Sequence, residues 1–233
     1  MTAARTWRAL LLATPILYFA ALRPRLLGWG ASLEERRGPL PGDDLVGARW
    51  QTTRGIDISA SAAEVWPWLV QMGYGRAGWY SYDWLERRVG AGEFVEGGSA
   101  KRIIPELQEL ALGDAVALSA AGGLTVAVLD PGSALVLHYR MNLLTAAPAH
   151  DRDPAVLDWT WTFVLASIDE ASCRLLARVR ADYRPPWLRP FLPLLLEPVH
   201  FVMERKMLRT IERQTRLVSR RTDGATRTAG VPS

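Results

Sequence analysis

The order of elements constrains this chain more than any single motif. A strand-like segment at Thr52 to Ser59 runs straight into an aromatic helix, several alternating strands follow, and one long amphipathic helix comes last. An antiparallel sheet followed by a single long helix buries its apolar face by curling around that helix, and a curled sheet over a helix leaves space between the two. The order predicts an α+β fold with an internal cavity. Its parts are a curved antiparallel sheet wrapped around a C-terminal helix from Leu188 to Val218, with two short helices near the start of the sheet.

Size and charge bound the rest. At 233 residues the chain suits one domain with an added terminal segment. The expected division is an apolar segment 1–30, a linker 31–50, a ligand-binding domain 51–219 and a disordered tail 220–233. The formal charge is +4, but it is unevenly spread. Arg5, Arg8, Arg23 and Arg25 meet no acid before residue 32, and Glu204 to Arg227 holds eight basic residues against three acidic. Basic ends on an acidic body fit an anionic membrane surface or simple solvation of the ends, and argue against a nucleic-acid groove, which needs a basic face on the folded body. Cys173 stands alone, so there is no disulfide framework and no cysteine metal site.

From Ala9 to Leu22 every residue is apolar except Thr14 and Pro15, and Arg8 and Arg23 bracket the run. At 1.5 Å per residue it spans about 20 Å, short of the roughly 30 Å hydrocarbon layer. Four readings stay open for this N-terminal apolar helix: a short span, a signal-peptide core, an interfacial anchor, or a segment docked on the domain. The first three place the protein at a membrane, and the last allows a cytoplasmic protein.

Ser61 and Glu64 form an S-x-x-E capping box ahead of Val65, Trp66, Leu69 and Val70, and Pro67 shortens or kinks that helix. Ser81 to Val89 reads as a second short helix, with Ser81 as N-cap and Trp84 and Leu85 turned inward. Gly122-Gly123, Asp130-Pro131-Gly132 and Asp169-Glu170 mark hairpin turns between strands. Counting alternate residues puts Leu157, Trp159, Trp161, Phe163 and Leu165 on one face, with Leu137 and Tyr139 on the neighbouring strand. Ala177, Val179 and Ala181 join the same wall. Small Ala177 and Ala181 leave room opposite the tryptophans. Arg174, Arg178 and Arg180 fall on the other face, toward water. His138, Asp158 and Asp182, the obvious acid/base groups, also fall outside.

Gly73 to Gly78 matches G-x-G-x-x-G, but it follows a helix and no βαβ unit surrounds it, so a flexible loop at a pocket mouth fits better than a nucleotide site. No metal or cofactor motif is present. Trp79 to Glu86 is the densest aromatic and polar cluster, and Trp79, Tyr80 and Tyr82 are candidates for the mouth of the cavity. Tyr80, Tyr82 and Asp83 are the candidate catalytic groups.

The VWPWLVQMG helix, the GWYSYDWLE segment, the paired hairpins and the MERKMLRTIERQ helix resemble the START / Bet v 1-like superfamily, also called SRPBCC, over roughly residues 45 to 218. The resemblance implies a helix-grip fold closing an apolar cavity, with lipid carriers, small-ligand binders and polyketide cyclases among its members. It carries over no catalytic motif and no cofactor. The function expected is binding of a hydrophobic small molecule, lipid or polyketide-like, by Trp79, Tyr80, Leu137, Tyr139, Trp159, Trp161, Phe163, Val179, Val199, Val202 and Met203. The alternatives are a cyclase or dehydratase on a polyketide-like substrate, and a membrane-tethered interaction module without ligand.

Overall fold

The computed structural model describes residues 18–188 and 192–229; the side chains of residues 188, 192–195 and 220–229 lie outside what it describes. The fold is α+β, an open six-stranded antiparallel sheet with a C-terminal helix. Strands β1 (Trp50–Ile58), β2 (Ala115–Ser119), β3 (Gly122–Asp130), β4 (Ala134–Asn142), β5 (Val156–Asp169) and β6 (Ser172–Arg184) stand in the order β1-β6-β5-β4-β3-β2. Five short or long helices accompany them: α1 (Arg23–Leu27), α2 (Leu33–Arg37), α3 (Ala62–Val70), α4 (Asp83–Arg88) and α5 (Leu192–Ala229).

Local chemistry sets the ends of these elements. Ser61 and Glu64 close the capping box on α3, and a second box, Ser32 with Glu35, starts α2 inside the stretch expected to be linker. The C-terminal end of α3 is held by Arg76, which donates to the carbonyls of Met72 (3.0 Å), Val70 (3.0 Å) and Leu107 (3.1 Å). Gly73 and Gly78 exchange backbone hydrogen bonds of 3.2 and 3.1 Å, so the glycine-rich segment is a closed turn that aims this arginine. The second helix departs from expectation. Tyr82 is its N-cap residue without a side-chain cap, Trp84 is exposed, and Glu86 is buried, accepting from the amide of Ser81 (2.9 Å) and more distantly from that of Trp79 (3.4 Å). A six-residue helix is anchored by whichever side chain satisfies its entry, here a carboxylate, not by a long apolar stripe. Burial raises the pKa of that carboxyl.

The inner face of the sheet carries the core: Leu135 and Leu137 on β4, Trp161, Phe163 and Leu165 on β5, Leu175, Ala177 and Val179 on β6, met by Trp68, Leu69 and Met72 from the α3 side and by Met207, Leu208 and Ile211 of α5. Helix α5 packs on α1, α3 and β1. It begins at Leu192, after a 3₁₀ turn at Pro186–Leu188, and continues past Val218 to Ala229.

The outer face is not open to water, contrary to the parity reading. Arg178, Thr53, Thr160 and Thr162 are all buried there. Residues 28–46 run across this face. Arg178 donates to the carbonyl of Gly38 (2.9 Å), that of Glu35 (2.6 Å), the Asp43 carboxylate (2.5 Å) and Thr53 Oγ1 (3.0 Å). Thr162 reaches the carbonyl of Pro41, and Arg174 pairs with Glu35 and Asp57. Alternation assigns a residue to a face but is silent on what the rest of the chain lays over that face.

Of the apolar run Ala9 to Leu22, residues 9–17 lie outside the described residues. The part described holds one π-helical turn (Tyr18–Leu22) that runs directly into the five-residue α1. No helix among the described residues is long and apolar enough to cross a membrane.

Candidate functional site

Ala181 on β6 sits in register between Trp50 on β1 and Trp159 on β5. All three point to the inner face, and a methyl group between two indoles leaves a hollow in the sheet surface. Val179, two residues back along β6, and the pair Leu157 and Tyr183 extend it, and Val89 closes one side. Helix α5 lies over the hollow with Leu196, Glu197, Val199, His200 and Met203. The result is a cavity of ≈ 290 Å³ whose wall is made mostly of apolar side-chain atoms.

Two charged residues of α5 tie this wall to the rest of the molecule. Glu197 is fully buried and accepts from Arg23 (Nη2, 2.8 Å; Nε, 2.9 Å), Trp50 Nε1 (2.6 Å) and Tyr18 Oη (3.2 Å). Two turns later, Glu204 accepts from Trp161 Nε1 (2.8 Å) and forms an ion pair with Arg54 of β1, both side chains being fully buried. Arg54 also donates to the carbonyl of Leu26 (2.8 Å) and to Nδ1 of His200 (2.9 Å). An arginine has only donors, so Nδ1 must be the bare nitrogen, and the neutral ring carries its proton on Nε2. That Nε2 lies 3.6 Å from Glu204 Oε1, beyond hydrogen-bond reach, and has no partner. Burial lowers the pKa of His200 to about 4, with Arg54 adding to the effect and Glu204 opposing it. The imidazole is therefore a neutral donor at physiological pH.

Glu197, His200 and Glu204 are spaced i, i+3, i+7, which places them on the inward face of α5 with Met207, Leu208 and Ile211. Sequence reasoning passed over them by tracking only the apolar stripe. The spacing itself held the signal.

Trp159, Val179, Val199 and Met203 line the cavity. Trp161 stands just behind it, stacked on Trp79 (centroids 5.3 Å apart) and bonded to Glu204. Leu137, Tyr139 and Phe163 are buried in the packed core, Tyr139 donating to the carbonyl of Ala146 (2.8 Å). Val202 does not share an interior space with Trp159 and Trp161. It is 45% exposed and lines a separate groove with Tyr82, Arg205, Lys206 and Arg209. At about 100° per residue it lies roughly 100° around α5 from Met203, which turns it out of the cavity.

Tyr80, Tyr82 and Asp83 do not converge. Tyr80 is fully buried at φ 56°, its hydroxyl accepting from Gln71 Nε2 (2.7 Å), and burial raises its pKa. Tyr82 lies beneath Lys206 in the outer groove. Asp83 accepts from the hydroxyl of Ser99 (2.7 Å) and fastens the 97–99 loop. His138 and Asp158 pair at 2.7 Å on the outer face, away from the cavity.

No protein-family model and no curated protein matches the chain. Among solved structures it is similar to a conserved protein from Geobacillus kaustophilus (12% identity, 71% of this chain and 95% of that one, TM-score 0.39). It is also similar to truncated norcoclaurine synthase from Thalictrum flavum (14%, 70% and 91%, TM-score 0.36). A third likeness is to the di-domain ARO/CYC BexL of the BE-7585A biosynthetic pathway (14%, 73% and 47%, TM-score 0.34). Two short helices stand between β1 and β2, and the long helix follows β6.

Proposed function

We propose that the protein binds a hydrophobic small molecule, lipid or polyketide-like, in the cavity between α5 and the β1-β6-β5 side of the sheet, the sheet and helix acting as a helix-grip pair. The observation that carries this reading is the Trp50, Ala181, Trp159 row. Three strands devote an inward row to a hollow of ≈ 290 Å³, where larger side chains would have filled the core. The volume is near the lower end of ligand pockets, about 300 to 1,000 Å³, and an apolar wall with few polar groups is their usual make-up. Organic extraction of the gently purified protein followed by mass spectrometry tests the reading. A stoichiometric apolar compound supports it, and a protein that neither carries nor takes up any such compound overturns it.

A cyclase or dehydratase acting on a polyketide-like substrate is the second reading, supported by a titratable side chain, His200, on the cavity wall. In that case the neutral imidazole would polarise a substrate carbonyl as a donor; its bare nitrogen is already occupied by Arg54. Docking at an anionic membrane through residues 1–30 is a further part of the proposal. Its support is the exposure of Phe19 and Leu22 beside the exposed Arg25.

A further inference from the structure

The outward face of α5 carries a charge pattern that the cavity does not use. At about 100° per residue, Val202, Arg205, Lys206, Arg209 and Arg213 fall in one sector about 100° wide, opposite His200, Glu204 and Ile211 on the inward side. They line one groove with Tyr82. The guanidinium carbons of Arg205 and Arg209 both lie over the ring of Trp29, 5.3 and 5.5 Å from its centroid, and Lys206 Nζ lies 5.7 Å from the centroid of Tyr82. A guanidinium stacked on an indole keeps its N–H edge for an acceptor. None of these four cations forms an ion pair or a side-chain hydrogen bond with a described residue. The acids of the same helix are engaged elsewhere, Glu197 by Arg23, Glu204 by Arg54 and Glu212 by Arg216. Residues 1–17 contain no acid that could cover the groove.

We infer that this groove docks the folded domain on an anionic lipid membrane, the four cations taking the phosphate and carboxylate groups of the lipid headgroups. The inference deepens the membrane reading above by adding a contact outside residues 1–30, and it does not depend on what fills the cavity. Charge complementarity calls for an anion. Arg205 to Arg213 spans eight residues, about 12 Å along the helix, which is longer than one phosphate group and suits several headgroups side by side. The groove is also partly apolar. Val202, 45% exposed, sits among the cations, and the exposed Trp84 stands beside Tyr82 with ring centroids 6.4 Å apart. Aliphatic and aromatic side chains beside cations match the boundary between headgroups and acyl chains. A track for nucleic-acid phosphates has no partner for a valine.

The test is cosedimentation of the full chain with vesicles of phosphatidylcholine alone and of phosphatidylcholine with about 30% phosphatidylserine. Each cation near an anionic surface is worth about fivefold in affinity. The expected result is a preference for the anionic vesicles that weakens as salt rises, and a loss of about twenty-fivefold in Arg209→Gln with Arg213→Gln. Arg37→Gln with Arg152→Gln, at two exposed arginines outside the groove, changes net charge equally and should leave binding nearly unchanged. If the loss of Arg209 loosens Trp29 and the double variant fails to fold, Arg213→Gln alone decides, with an expected loss of about fivefold. Equal binding to the two vesicle types, or an equal loss in the two double variants, overturns the inference. Anionic binding unchanged by the groove variant overturns it and leaves the contact with residues 1–30, and binding to neither vesicle overturns both. If the groove variant loses binding to a short duplex DNA but not to the vesicles, the partner is a nucleic acid and the lipid assignment falls.

Discussion

Arg54 donates to Nδ1 of His200 across the gap between β1 and α5, at 2.9 Å, and thereby fixes which ring nitrogen carries the proton. The histidine is held neutral, with its pKa lowered to about 4. In the unfolded chain the same ring takes up a proton near pH 6.5. Between those values the unfolded state binds a proton that the folded state refuses, so stability falls as pH drops from about 6.5 to about 4, by at most about 3 kcal/mol. Urea unfolding at pH 7 and pH 4.5 should show this loss. His200→Asn, which offers Arg54 an acceptor and does not titrate, should show less of it. An identical pH dependence in the two proteins would assign the effect to other groups.

Arg54 and Glu204 are both fully buried, so removing one leaves the other uncompensated. Arg54→Met is expected to cost about 3 to 5 kcal/mol, whereas the double change Arg54→Met with Glu204→Leu should recover most of it, since a buried pair is held against a large desolvation cost. A double-mutant cycle read by chemical denaturation checks this.

Val199 and Val202 are similarly exposed and one turn apart, yet only Val199 lines the cavity. Val199→Trp should abolish uptake of a small environment-sensitive fluorescent probe with little loss of stability, and Val202→Trp should leave uptake unchanged. The opposite pattern would move the site to the outer groove.

Residues 23–31 supply Arg23 to Glu197, the Leu26 carbonyl to Arg54, the Trp29 carbonyl to the amide of Gly55 (3.1 Å) and the Gly30 carbonyl to Arg174. A protein beginning at Leu33 should therefore be destabilised by several kcal/mol, seen as a lower Tm, because Glu197 and Arg54 stay buried with fewer partners. Gly30→Ala tests the same seam. Gly30 has φ +70°, and an added Cβ would lie 2.1 Å from the Gly55 carbonyl oxygen, so even a methyl should cost more than about 1 kcal/mol. Cosedimentation of the full chain with anionic vesicles separately tests membrane docking.

The hairpins, the capping box on α3 and the inward row Trp159, Trp161 and Phe163 were legible because each depends on residues close in sequence or on strict alternation. The burial of Arg178 was not. It depends on a segment 140 residues away, the carbonyl of Gly38, and nothing local to β6 announces that cover. The same holds at the site. Trp159 and Val179 follow from parity, but Glu197, His200 and Glu204 read as ordinary surface residues until Arg54 and Arg23, distant in sequence, are seen beside them. The spacing marks the helix face these residues share with the apolar stripe, but the charges that satisfy them there are a property of the tertiary fold.

The pairing of β1 with β6, of which Trp50 with Ala181 is one contact, has a consequence for synthesis. The ribosome releases β1 first, but its neighbour is the last strand made. Until β6 emerges, β1 has no hydrogen-bonding partner, while the β3-β4 and β4-β5 hairpins can already close from nearby residues. The Arg54 and Glu204 pair must wait longer still, for α5. Throughout translation the nascent chain carries an unpaired strand with an uncompensated arginine at its centre, which disfavours premature burial of that edge and leaves the seam between the two ends of the chain as the final step of assembly.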